Sequence, residues 1–111
     1  MTDELGKLRR THHCNALNAG MVNSQVVLTG WVQRRRDHGG VIFIDLRDRF
    51  GLTQVVFNPE RDKAVHEKAH VIRNEFVIGV RGTVAARPQD MINPNLATGE
   101  IEVLADELLI L

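Results

Sequence analysis

Cysteine is nearly missing from the chain. Cys14 stands alone, so no internal disulfide can form, and a cytoplasmic setting is expected. Long apolar runs are missing too. No window approaches the roughly 18–20 apolar residues that a membrane span needs. Met1-Thr2-Asp3-Glu4-Leu5 has neither a basic nor an apolar stretch, so no secretory leader is expected. Net charge is zero, with 14 Lys and Arg against 14 Asp and Glu. That argues against a general polyanion binder, which would be basic throughout, but not against a reader of one particular RNA. Aromatic residues are few: four Phe, one Trp and no Tyr.

What is present suits one compact domain. The chain has 111 residues, enough for one core but not two, and its 43% hydrophobic and 25% charged content is ordinary for a globular protein. Charge is unevenly placed. Arg34, Arg35, Arg36, Arg47, Arg49 and Arg61 fall in the first part, whereas Glu100, Glu102, Asp106 and Glu107 gather near the end. The expectation is a polarised molecule with one basic face. No repeat or low-complexity stretch occurs.

Hydrophobic periodicity orders the rest. Residues 1–24 are read as an extension packing on the domain, with a short helix or turn near His13–Asn18. Gln25–Gln33 is rich in β-branched and aromatic residues and reads as a strand, with Gly30 marking a bend or bulge. Asp37-His38-Gly39-Gly40 reads as a turn. In Val41–Asp48, Ile42, Ile44 and Leu46 alternate with Phe43, Asp45 and Arg47, so one set faces a core and the other faces out. Leu52–Phe57 is a third strand. Residues 61–73 have helical spacing, with Ala64, Val65, Ala69 and Ile72 as the apolar stripe. Glu75–Ala86 is a fourth strand, 87–99 a long loop, Glu100 to about Val103 a fifth strand, and an extended segment reaches Leu111. Three strands, a helix and two strands is the order of the OB-fold, an all-β, five-stranded Greek-key barrel with a helix between strands three and four. Residues 25–111 are assigned to it.

The outward face of the second strand carries Phe43, Asp45 and Arg47. Gln54 joins it if the third strand pairs antiparallel, and Arg34 and Arg36 point the same way nearby. A ring, an amide and guanidinium groups on one barrel surface suit single-stranded readout. A base stacks on the ring for roughly 1–3 kcal/mol, and polar groups read its exposed edge. The plainer alternative makes Phe43 a core residue, since a one-residue error in register exchanges the faces. The plainer reading of the arginines is a solvated polar face.

Gly30-Trp31-Val32-Gln33-Arg34-Arg35-Arg36-Asp37-His38-Gly39-Gly40, then Phe43 to Arg49 and Gln54-Val55-Val56-Phe57, closely resemble the N-terminal anticodon-binding domain of bacterial-type, class II aspartyl-tRNA synthetases. Arg10-Thr11-His12-His13-Cys14 and Ala97 to Val103 fit the same pattern. The resemblance covers nearly the whole chain. It implies that Phe43 stacks on the central anticodon uridine, that Gln54 and Glu102 hydrogen-bond anticodon bases, and that Arg36 holds the segment with Arg34 nearby. Arg87 and Asn93 are implied as further contacts. It also implies tRNA(Asp) as partner, and a homodimeric full-length ligase. ATP and Mg would be held in a catalytic part outside this chain, leaving no cofactor, metal or catalytic residue here. On this reading the chain is a piece of a longer one, and a linker begins near Ile110-Leu111. His38 resembles the relaxed type of the family, which also charges tRNA(Asn); the plainer alternative is a polar turn residue beside two glycines.

Two other readings compete. His66-Glu67-Lys68-Ala69-His70 matches the H-E-x-x-H pattern of zinc hydrolases. It lacks a third ligand of the usual kind and a second lobe, and the apolar stripe would turn both histidines to solvent. His12, His13 and Cys14 are ligand types too, but adjacent side chains chelate poorly. A free-standing OB protein that binds any single strand is the other alternative; it calls for a broadly basic surface and more stacking aromatics.

Overall fold

A computed structural model describes residues 9–111; the first eight residues of the expected N-terminal extension lie outside the described residues. Five strands close a barrel in the order β1-β2-β3-β5-β4. They are β1 (Gln25–His38), β2 (Val41–Asp48), β3 (Gly51–Phe57), β4 (Val77–Ala86) and β5 (Ile101–Ile110). One helix, α1 (Lys63–Ala69), lies between β3 and β4. This is the expected OB-fold. The parallel β3–β5 pairing closes the barrel, and the other neighbours pair antiparallel.

Alternation built the wall as expected along β2. Ile42, Ile44 and Leu46 are buried, and Phe43, Asp45 and Arg47 are not. Ile44 and Leu46 join Val26, Leu28, Val32, Val55, Phe57, Ile78, Val80 and Val103 in the core. Each fully buried aliphatic side chain of this kind stabilises the fold by about 1.5–3 kcal/mol.

Several boundaries differ from the sequence reading. β1 runs on through Asp37 and His38, and only Gly39 and Gly40 make the turn, both at positive φ. The bulge falls at Gln33, between Val32 and Arg34, rather than at Gly30. Gly30 answers a different need, since a Cβ there would overlap the Arg47 carbonyl. The helix is shorter than 61–73 because the Asp62 side chain accepts from Val65 N–H and caps its start. Ala64 is exposed and does not belong to the apolar stripe, whereas Ala69 and Ile72 are buried. β4 starts at Val77, and β5 is one continuous strand rather than a short strand with a tail. The short helical segment near the N-terminus is a 3-10 turn at Ala19–Met21, and Cys14-Asn15 form a turn.

Asp48 ties the incoming chain to the far end of β2. Its carboxylate accepts from the backbone N–H of Cys14 at 2.8 Å, Phe50 at 2.8 Å and Gly51 at 3.2 Å. Burial pushes this carboxyl up, but the donated hydrogen bonds outweigh it and hold the group below the usual carboxylate range. The Cys14 thiol is pushed up to about 12, by burial first and then by the Asp48 charge, so it stays protonated and unreactive near neutral pH. Among the described residues, no helix is long and apolar enough to cross a membrane.

Candidate nucleic-acid interface

The Gln33 bulge decides which arginines reach the outer face. Val26, Leu28 and Val32 point inward, so strict alternation would send Arg34 and Arg36 inward as well. One extra residue reverses the parity. Arg34 then pairs across from Asp45 and Arg36 from Phe43, both outward, while Arg35 pairs across from the core residue Ile44. Arg35 reaches under the barrel end instead. Its Nη1 donates to the carbonyls of His70 at 2.9 Å and Ile72 at 2.8 Å, satisfying acceptors where α1 ends. The same guanidinium pairs with Asp37 at 2.8 Å. That hydrogen bond holds the Asp37 carboxyl below the usual range, against an opposing effect of burial.

On the outer face two cavities adjoin. The first, about 320 Å³, is lined chiefly by Arg34, Arg36, Asp45, Gln54, Arg87 and Asn93. The second, about 310 Å³, is lined by Arg36, Asp37, His38, Phe43 and Met91. Seven of the eight residues singled out from the sequence thus line one cavity or the other. The eighth, Glu102, lies behind Gln54. Barrel closure explains this: β5 inserts between β3 and β4 and brings Glu102 within 2.9 Å of the Gln54 amide.

These groups form a chain of hydrogen bonds. Arg36 Nη2 donates to Gln54 Oε1 at 2.9 Å, and Gln54 Nε2 donates to Glu102 Oε1 at 2.9 Å. Arg36 also approaches Asp45 at 3.5 Å. The amide is 1% exposed and lies between a donor-only and an acceptor-only group, which fixes which end is oxygen. Burial raises the Glu102 carboxyl above the usual glutamate range, against opposing effects from the Gln54 hydrogen bond and the Arg87 charge. Arg87 is itself buried, with Nε donating to the Ile101 carbonyl at 2.8 Å, and desolvation is the main cause of its lowered pKa. Asn93 sits in a loop closed by its own N–H donating to the Gly99 carbonyl at 3.0 Å.

The expected segregation of charge is not what the barrel builds. Asp45 lies between the arginines and Glu102 behind them, while Asp106 and Glu107 pair with Arg61 at 2.8 Å and Arg81 at 3.3 Å. Asp45, Met91 and Leu96 complete the cavity lining without having been selected from the sequence. Alternation had placed Asp45 on this face, but Met91 and Leu96 lie in an irregular loop with no periodicity to read.

The two outlying aromatic–arginine pairs differ. Phe50 is 44% exposed, yet His13 stacks on it at 4.4 Å and Arg49 covers it at 5.0 Å. Phe43 has Arg36 at 5.8 Å, and no ring stacks on it among the described residues. Of these two rings, Phe43 is the one with no ring stacked on it. In the H-E-x-x-H segment, the His66 and His70 rings meet edge-on at 4.8 Å. His70 is exposed, but His66 is half-buried rather than solvent-facing. No group of three or more candidate metal-ligating residues occurs among the described residues.

Residues 26–111 match the tRNA anticodon family of OB-fold nucleic acid binding domains. The chain belongs to that family. It is 68% identical over 111 residues to an aspartate–tRNA(Asp/Asn) ligase of Desulfosudis oleivorans, covering 100% of this chain and 19% of the relative. It is 62% identical over 109 residues to the ligase of the same name from Desulfotalea psychrophila, covering 98% of this chain and 18% of the relative. The chain thus spans about a fifth of the length of these relatives. Among solved structures, asparaginyl-tRNA synthetase from Pyrococcus horikoshii is 25% identical, with a TM-score of 0.75 over 90% of this chain and 22% of that one.

Proposed function

We propose that this chain reads the anticodon of aspartate tRNA, as the anticodon-binding part of an aspartate–tRNA ligase. The observation that carries the reading is the pair of adjoining cavities, one presenting the ring of Phe43, on which no other described ring stacks, and the other a polar wall of Arg34, Arg36, Asp45 and Gln54. A splayed base lies on Phe43. Arg36 presents its guanidinium toward base edges, and the buried Gln54, engaged by Arg36 on one side and Glu102 on the other, holds it in place. Arg34 meets the backbone, and Asn93 and Arg87 border the same space. Holding the anticodon loop in this unstacked form orients the tRNA for a separate catalytic part. That part binds ATP and Mg, acts as a homodimer in the cytoplasm and carries out aspartylation.

His38 borders the cavity that holds the Phe43 ring. We assign the relaxed specificity to this chain. The names of two close relatives, both aspartate–tRNA(Asp/Asn) ligases, support that assignment.

The test is a binding comparison at fixed salt between an aspartate anticodon stem-loop, its asparagine counterpart and a scrambled hairpin. The two cognate loops are expected to bind alike and well above the scrambled one. Equal affinity for all three would replace the anticodon reader with a general single-strand binder. Binding of the aspartate loop alone would remove the relaxed assignment and leave the rest standing.

A further inference from the structure

The two cavities share two side chains, Arg36 and Met91. Arg36 is polar and already engaged with Gln54. Met91 is different: an apolar side chain, 37% exposed, at the end of the 3-10 turn Gln89–Met91. Exposure of so large an apolar group has no packing reason within the barrel, because Met91 is not part of the core cluster.

The loop that carries Met91 is held in place. Met91 N–H donates to the Pro88 carbonyl at 2.8 Å, and the Arg87 guanidinium approaches the Met91 carbonyl at 3.5 Å while gripping Ile101. Farther along, Thr98 Oγ1 donates to the Leu52 carbonyl at 2.6 Å, tying the loop to β3. A tethered turn thus holds a flexible thioether at the partition between a cavity lined by an aromatic ring and a polar cavity.

We propose that Met91 is a positioning residue for RNA, a soft wall that packs on the base stacked against Phe43 and separates it from the neighbouring base in the polar cavity. This rests on the anticodon reading above and adds to it a residue on the loop side of the site. Sulfur suits the task. A thioether is polarizable and adapts to an aromatic face, and its unbranched chain follows purines and pyrimidines alike. Arg87, buried and bonded to the carbonyls of Met91 at the end of the turn and Ile101 on β5, sets where that wall stands.

The experiment uses the 111-residue chain and an aspartate anticodon stem-loop with 2-aminopurine at the central anticodon position. Met91→Ala is expected to weaken binding about 2–10-fold and to change 2-aminopurine quenching in the saturated complex. Met91→Leu is expected to retain affinity within about 2-fold, and neither substitution should lower the melting temperature appreciably, as the side chain is outside the core. In a Phe43→Ala background, Met91→Ala is expected to add little, because both side chains hold the same base. Loss of binding in Phe43→Ala with no change in Met91→Ala would overturn the role of Met91 and leave the anticodon reading intact. Fully additive losses would overturn the shared base. Unchanged binding in both single variants would overturn the anticodon reading itself.

Discussion

Arg35 and Arg36 are neighbours in the chain and serve opposite sides of the barrel wall. Arg35 sits across from Ile44 and satisfies carbonyls where α1 ends. Arg36 sits across from Phe43 and enters the relay through Gln54 to Glu102. The same contrast holds one strand over, where Ile44 is wholly buried and Phe43 borders an open cavity. In a barrel this small, a side chain's task follows from the parity of its position more than from its chemistry. Two arginines, or two large apolar residues, one step apart support the fold in one case and face a ligand in the other.

The comparison is sharpest where substitutions separate stability from binding. Ile44→Ala should have the largest effect, lowering unfolding free energy by about 2–5 kcal/mol in urea titrations, with RNA affinity of the folded fraction little changed. Phe43→Ala should do the reverse, costing about 1–3 kcal/mol of anticodon stem-loop binding while leaving the urea midpoint in place. A midpoint that falls as far as for Ile44→Ala would make Phe43 a core residue and erase the difference between the faces.

Arg35→Ala comes next, with an expected loss of about 1 kcal/mol of stability from the unmet carbonyls beyond α1. Stem-loop affinity should hold, whereas Arg36→Ala should lower affinity with a smaller change in stability. An exchange of those two results would mean that the bulge at Gln33 does not set the parity.

The smallest effect is one of pH. Burial raises the Glu102 carboxyl in the fold, so the native state holds this proton more tightly than the unfolded chain does. As pH rises from about 4 through the glutamate range, the unfolded chain releases its proton first. The contribution of Glu102 to stability therefore declines with rising pH over that window. Glu102→Gln should remove that decline, seen as a flatter profile of urea midpoint against pH. An unchanged profile would place the titration elsewhere.

Much of this arrangement was legible in the chain. The strands, the helix between the third and fourth, and the outward set Phe43, Asp45 and Arg47 all followed from apolar periodicity. The two-residue spacing of Arg34 and Arg36 put them on one side of their strand, and the resemblance on Gly30 to Gly40 supplied His38. Met91 and Leu96 were not legible, because an irregular loop has no period. The near-complete burial of Gln54 was not legible either, because its covering comes from residues some fifty positions away.

The sequence by itself determined which residues alternate, and so which face of β2 is apolar, because opposite-pointing neighbours are a local property of extended backbone. Only the tertiary structure decided that Arg34 and Arg36 turn outward while Arg35 caps the helix end, and that Glu102 stands behind Gln54. Those outcomes depend on a bulge and on the closure of β5 against β3, and both are set by hydrogen-bond register between strands that are distant in the chain.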